Sequence, residues 1–256
     1  MEILFLGTCA CDFSKRLEED LRFEFDKDVR RSSAMLIDNR FLVDLGPHTV
    51  NALKTAKIDP CAITDLFITH THRDHYDPSG INELARLTSS KLRVWASEEA
   101  DLHALSGVEI IQMKKLTEYT PDVGISVTGL YANHDPNTSP QHLYFCINGK
   151  KVFYGCDGAW LLNRTYYFLK DKKLDLCVLD CTTGDYEGDF RMGEHNSIPM
   201  LRVMLPSLRT FNVITPDTKV YFSHLAPSLH ASHADTERIA AEIGASVAYD
   251  GLTLYI

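Results

Sequence analysis

The sequence predicts one α/β domain, and three observations predict it. Short runs of Val, Ile, Leu and Phe alternate with stretches of helical apolar spacing along all 256 residues, the pattern of helices packed on a sheet. No internal repeat, low-complexity tract or Pro/Gly-rich linker divides them, so residues 1–256 read as one unit. The third observation is positional: the histidines and aspartates that can bind metal stand at or just after predicted strand ends.

Composition narrows the class. Hydrophobic residues at 45% and charged residues at 24% are ordinary globular values. No apolar run approaches the ~20 residues needed to span a bilayer, so a soluble chain with no membrane association is expected. Met1 to Gly7 is apolar without a basic head and is soon followed by dense charge, so it reads as a first strand and not an export signal. A net charge of -9 disfavours broad attraction to nucleic acid and favours a small substrate. Seven cysteines, odd in number and scattered, suggest reduced thiols and a cytoplasmic setting. Cys9 and Cys11 form a lone CxC with no second pair nearby; buried thiols are the plainer reading of them than a metal grip.

Taken in order, Glu2 to Leu6 is a strand, and Ser33 to Asp38 with Phe41 to Asp44 is a hairpin around Asn39-Arg40. Between them, residues 14–31 carry both signs of charge around a few apolar side chains. This reads as a surface insertion, either a flap over the site or a solvated element away from it. Pro47 to Lys57 has helical spacing, and Leu66 to Ile68 is the end of a buried strand. Asp77-Pro78 opens a helix through Leu87; Leu92 to Ala96 is a strand; Ser97 to Leu105 reads as a helix with Glu98 and Glu99 in its first turn. Strands follow at Val108 to Gln112 and Gly124 to Tyr131, then a hairpin of Gln141 to Ile147 and Lys151 to Tyr154 about Asn148-Gly149. Ala159 to Lys170 is helical, Leu174 to Asp180 a strand, and Ile198 to Leu208 a helix capped by Asn196 or Ser197. Lys219 to Phe222 is a strand, Asp235 to Ile243 a helix, and Leu252 to Tyr255 the closing strand.

The chemistry concentrates in His70-Thr71-His72-Arg73-Asp74-His75, an HxHxDH run directly after a strand. A rigid strand end can aim His70 and His72 at one point while the loop turns Asp74 and His75 toward a second. Neutral imidazole with carboxylate suits zinc, manganese or iron, whereas magnesium or calcium prefers oxygen almost throughout. Two divalent ions are therefore expected, zinc or manganese first and iron as the further candidate. Strand ends recur before His134, Asp157, Asp180 and His224, and His195 stands at the mouth of a predicted helix. Asp180 either supports the site or caps a turn. Asp135, His48, His230 and His233 read as structural or surface residues.

The HxHxDH run and the order of the later acids and histidines resemble the metallo-β-lactamase superfamily. That resemblance implies a four-layer αββα sandwich. It implies His70, His72 and His134 on one metal, Asp74, His75 and His224 on the other, Asp157 bridging them, and Asp44 buttressing the histidine loop without ligating. His195, lying between Asp157 and His224, follows the order of the phosphodiesterase branch, which includes the tRNA 3′-processing endonucleases (RNase Z) and the phosphoribosyl cyclic phosphodiesterases of carbon-phosphorus lyase pathways. In that branch His195 would give a proton to the departing alkoxide, with Asp74 as both ligand and catalytic carboxylate. The expected activity is hydrolysis of a small cyclic phosphate or nucleotide through a metal-bridging hydroxide. RNA cleavage, thioester or lactam hydrolysis, and a metal-binding sensor or interaction module are the alternatives. The chain lacks the extra cysteines of the cyclic phosphodiesterase and the Gly-rich or basic arm of the endonucleases. Oligomeric state stays open, a homodimer included.

Overall fold

Ile3, Leu4, Phe5 and Leu6 are all buried, although a strand has two faces and only one need be covered. Strand β1 (Glu2–Gly7) sits between two different apolar layers, and the same holds across its sheet. The computed structural model describes residues 1–19 and 24–256. Its first sheet holds β1, β2 (Ala34–Ile37), β3 (Phe41–Val43), β4 (Asp65–Phe67), β5 (Arg93–Ser97) and β6 (Glu109–Met113). The second holds β7 (Glu118–Asp122), β8 (Ile125–Tyr131), β9 (Gln141–Ile147), β10 (Lys150–Gly155), β11 (Leu176–Asp180), β12 (Lys219–Ser223) and β13 (Ser246–Val247). The last strand, β14 (Thr253–Tyr255), returns to the first sheet, giving the orders β14-β1-β2-β3-β4-β5-β6 and β13-β12-β11-β10-β9-β8-β7.

Alternate side chains separate the layers. Ile3, Phe5, Phe67 and Trp95 from one sheet meet Leu143, Phe145, Tyr154 and Val178 from the other in an intersheet core. Leu4, Leu6, Leu42, Leu66 and Val94 point the opposite way, onto helices α2 (Thr49–Thr55) and α3 (Pro78–Leu87). On the far side Phe153, Leu179 and Phe222 receive α4 (Asn163–Leu169), α5 (Ile198–Thr210) and α6 (His233–Ala241). Helices on both outer faces of two stacked sheets make the αββα sandwich expected. The hairpin turns are set by residues that tolerate positive φ: Asp38 and Asn39 at 49° and 55°, Asn148 and Gly149 at 50° and 84°.

Several sequence expectations are corrected. Residues 98–105 form turns and no helix: the Asp101 carboxylate accepts the His103 amide at 3.1 Å, an alternative to helical bonding, and Leu102 is the one large side chain there that is buried. Strand β7 has no counterpart in the elements read from the sequence; it contains Pro121 and lies at a sheet edge, where a missing N–H is tolerated. Helix α4 begins four residues later than the apolar pattern suggested, and the turn in β2–β3 centres on Asp38-Asn39.

The segment 14–31 is not simply superficial. It contains the short helix α1 (Lys15–Glu19), on which Leu17 is fully buried, and it ends with Val29, Arg30 and Arg31 buried. The reason is polar: Arg30 donates to Thr8 Oγ1 and to the Ala248 carbonyl at 2.6 Å each, and the Arg31 amide donates to Asp250 at 2.7 Å. Residues 20–23 of the insertion lie outside the described residues, and with them any test of a flap.

Candidate metal centre and active site

The site gathers where parallel strands end together. Strands β3, β4 and β5 run parallel in one sheet, and β10, β11 and β12 run parallel in the other, so their C-terminal ends deliver Asp44, the histidine loop, Asp157, Asp180 and His224 to a common edge. The sheets are stitched there by Gln141, whose amide donates to the Thr69 carbonyl and whose side chain donates to the Ile68 carbonyl, each at 2.9 Å. The loop folds back on itself: the His75 and Tyr76 amides both donate to the His72 carbonyl, at 3.0 and 2.8 Å. Gly46 underlies it, because a Cβ there would stand 2.0 Å from the Asp74 carbonyl oxygen.

Asp44 is fully buried behind this loop and accepts from the Thr69 amide at 2.8 Å, from Thr69 Oγ1 and from His75 Nδ1 at 2.8 Å. Burial pushes its carboxyl up, and the pairing with His75 opposes that. Three of the remaining rings are anchored in the same way through the nitrogen turned away from the centre. His70 Nδ1 lies 3.0 Å from Thr69 Oγ1, His134 Nδ1 lies 3.3 Å from the Glu194 carbonyl, and His224 Nδ1 lies 2.8 Å from Thr182 Oγ1. Such partners set the tautomer and leave Nε2 as a lone pair for a cation.

The inward nitrogens form two groups. His72 Nδ1 is 3.1 Å from His70 Nε2 and 3.0 Å from His134 Nε2, while His75 Nε2 is 3.1 Å from His224 Nε2, with Asp74 Oδ2 3.5 and 3.4 Å from those two. Asp157 Oδ2 stands between the groups, 3.7 and 3.4 Å from Nε2 of His70 and His134 and 3.8 and 3.3 Å from Nε2 of His75 and His224. All seven residues expected as ligands are thus brought together. Asp135 stays at the rim, 3.6 Å from His72 Nε2, and His48 is packed apart against Ser32 and Phe13.

The donor set fits cations. Ligands held tetrahedrally at the usual zinc–nitrogen distance are about 3.3 Å apart, close to the spacing of these imidazole nitrogens. Facing lone pairs at that distance repel unless a cation or proton lies between them. Asp157 Oδ1, moreover, is buried without a hydrogen-bond partner, although His195 Nδ1 comes within 2.8 Å at an unsuitable angle. Burial lowers the basicity of His70, where surrounding imidazoles add to the effect, so with its Nδ1 against Thr69 the neutral ring has no second proton for the nitrogen that faces its neighbours. Four clusters of three or more potential ligands occur among the described residues, all at this edge, and none includes a cysteine. Cys9 is buried and Cys11 exposed at the cleft mouth; all seven cysteines are free thiols.

These distances place a histidine and aspartate cage on an αββα sandwich, and the sequence pattern of the metallo-beta-lactamase superfamily matches residues 28–160. The chain belongs to that superfamily. Its fold is similar to Zn2+-bound PqqB from Methylobacterium extorquens (TM-score 0.75, 16% identity, 100% of both chains). It is likewise similar to a diphosphatase from the PhnP family (0.73, 17%, 100% of this chain and 97% of that one) and to the short form of human tRNase Z (0.69, 15%, 100% and 99%). At such identities the likeness speaks for the fold alone. No curated protein matches the sequence significantly. Among the described residues no helix is long and apolar enough to cross a membrane.

Beside the superfamily ligands lies a cleft of about 190 Å³, walled by His195 and by Cys11, Asp12, Arg191, Glu194 and Ser228. His195 reaches it from the turn before α5, whose N-cap is Ser197. Its ring stacks on His224 at a centroid distance of 5.7 Å and 18°. Burial works against a charge on His195, and the carboxylates of Asp157 and Asp180 overcome it, pushing its pKa up to about 10. Thr182 was not singled out from the sequence. Its one signal was its place two residues after Asp180 at a strand end.

Proposed function

We propose that this protein is a cytosolic metal-dependent phosphodiesterase acting on a small cyclic phosphate or nucleotide. The observation that carries the reading is the setting of His195. Its Nδ1 is turned inward, 3.3 Å from Asp180 Oδ2, and its side chain is 16% exposed at the cleft, which leaves Nε2 as the nitrogen able to meet a substrate. A protonated imidazole so oriented gives its Nε2 proton to the leaving oxygen as the phosphorus–oxygen bond breaks, and the ring is left neutral. A thioester hydrolase would need that donor less, since thiolates depart readily.

Two divalent cations, zinc or manganese with iron as the further candidate, held by His70, His72 and His134 and by Asp74, His75 and His224 with Asp157 between, would activate water and neutralise charge on the phosphoryl oxygens. The small cleft and the acids Asp12 and Glu194 on its wall disfavour a polyanion such as RNA. Structural neighbours whose names include a PhnP-family diphosphatase, yeast PDE1 and human tRNase Z support phosphoester chemistry without naming the substrate.

The test loads the protein with zinc or manganese, measures metal content, and assays bis-p-nitrophenyl phosphate and cyclic nucleotides beside thioester and lactam substrates. Turnover of the cyclic nucleotides, whose leaving group is an alkoxide, should fall by 10²-fold or more in His195→Ala with both metals retained, and turnover of bis-p-nitrophenyl phosphate by much less. Full metal occupancy with no diester turned over, or an unchanged rate on the cyclic nucleotides in the variant, overturns the reading.

A further inference from the structure

His142 is a buried imidazole near the start of β9 that the ligand set leaves over, packed edge to face on Phe153 at 5.5 Å and 81°. Its Nε2 lies 3.2 Å from the Asp157 carbonyl, which accepts from no other group among the described residues. A carbonyl can only accept, so Nε2 carries the proton and Nδ1 keeps its lone pair. That Nδ1 is buried without a partner. An orphan acceptor in an apolar layer costs free energy that a hydrocarbon side chain would not, and the bond to Asp157 is the one polar contact the ring makes in return. The same turn is held at two more points: the Asn196 side chain donates to the Gly158 carbonyl at 2.9 Å, and the Ala159 amide donates to the Asn133 carbonyl at 3.0 Å. Gly158 leaves room for the ring, since a Cβ there would stand 2.8 Å from His142 Nε2.

We propose that His142 is a positioning residue for the cation cage, holding the Asp157 carbonyl so that the carboxylate stands between the two groups of imidazoles. The direction in which a side chain leaves the backbone follows from the peptide planes beside it. His142 fixes the plane after Asp157, and Asn196 with Asn133 fixes the next one. The carboxylate has little latitude, because Oδ2 is 3.4 Å from His134 Nε2 in one group and 3.3 Å from His224 Nε2 in the other. Asn133 precedes His134 and Asn196 follows His195, so the turn that carries Asp157 is tied to the segments that carry both. His142 touches no cation on this assignment; it acts through Asp157, and the assignment rests on the two-cation reading above.

The test compares His142→Leu, which removes the donor, with His142→Gln, whose side-chain amide can bring an N–H to the place of Nε2. Competition titration with manganese should show His142→Leu binding about 10–100-fold more weakly than wild type and His142→Gln close to it. Electron paramagnetic resonance of the manganese-loaded protein reads the bridge itself, because a carboxylate shared by two Mn2+ ions couples their spins. Wild type and His142→Gln should show the same coupled pair, and His142→Leu, loaded to the same occupancy, a weaker coupling. A merely structural loss would lower stability and leave that coupling as it was. Melting of the metal-free variants checks that each is folded, and His142→Met, unbranched and adaptable, takes the place of His142→Leu if that variant is not. Equal affinities in all three proteins, or equal losses in both variants, would overturn the assignment, as would an unaltered coupling in the apolar variant. If wild type takes up a single cation, the two-cation reading fails and the affinity ranking of the variants alone decides on His142.

Discussion

Replacing Asp44 by Asn changes one oxygen to an amide nitrogen with almost no change in shape, so its effect can be worked out from partners. Asp44 Oδ1 accepts from the Thr69 amide at 2.8 Å, and Oδ2 accepts from Thr69 Oγ1 and His75 Nδ1 at 2.8 Å each. An Asn can serve one side only. With its oxygen toward Thr69, its NH2 faces His75 Nδ1, and the ring must move that proton to Nε2, the nitrogen 3.1 Å from His224 Nε2. With its oxygen toward His75, two donors confront each other at the Thr69 amide in a fully buried setting. Either way a charge-assisted hydrogen bond is lost and a buried donor stranded, at about 2–4 kcal/mol of stability. Metal affinity on the His75 side should fall 10–100-fold, as for other carboxylates behind metal-binding histidines. Urea unfolding of metal-free protein reads the first quantity and competition titration with zinc or manganese the second. Unchanged affinity together with a stability loss under ~0.5 kcal/mol, the scatter of ordinary surface changes, would refute the buttress role.

Three further outcomes are expected. Gly46→Ala puts a Cβ 2.0 Å from the Asp74 carbonyl, so the loop must shift. We expect a loss of about 1–3 kcal/mol with weaker binding of a cation at Asp74 and His75, measured by melting and metal analysis. His48 is buried and its pKa is pushed down to about 4 from an ordinary 6.5, chiefly by burial and then by Arg31. The folded chain resists a proton that the unfolded chain accepts, so this stability is complete above pH 6.5 and is lost as pH falls toward 4. By pH 5 the loss amounts to about 2 kcal/mol. His48→Gln should therefore lose less stability than wild type between pH 7 and 5 by that difference; parallel losses would remove His48 from the account. Finally, chelation should lower the melting temperature, since ligands at 1,000-fold excess over Kd stabilise by about 4 kcal/mol. An identical melt with and without chelator would argue against a cation in the cage.

Much of this protein was legible in one dimension because its signals are local. A strand buried on both faces needs an unbroken apolar run, and Asp-Asn or Asn-Gly tolerates the positive φ of a tight turn, so β1, β4, β11 and the two hairpins stood out. The histidine run was equally plain, since four side chains able to bind a metal lie within one loop. Residues 98–105 misled because Glu98, Glu99 and the nearby alanines suit a helix, while the competing acceptor, Asp101, acts only once the chain has turned. The burial of Val29 to Arg31 was hidden for a related reason: their partners, Thr8, Ala248 and Asp250, lie at the opposite ends of the chain.

What the sequence determined by itself, then, was the resemblance to the superfamily and the histidines and aspartates able to bind a metal, because residue type and strand-end position are properties of single segments. The tertiary structure alone decided which nitrogen of each ring faces inward, that Asp157 stands between two groups of imidazoles, and that Asp180 and Thr182 lie within reach of Nδ1 of both His195 and His224. Those outcomes depend on donors and acceptors within hydrogen-bonding reach. Reach is set by how two sheets pack, and spacing along the chain does not encode it.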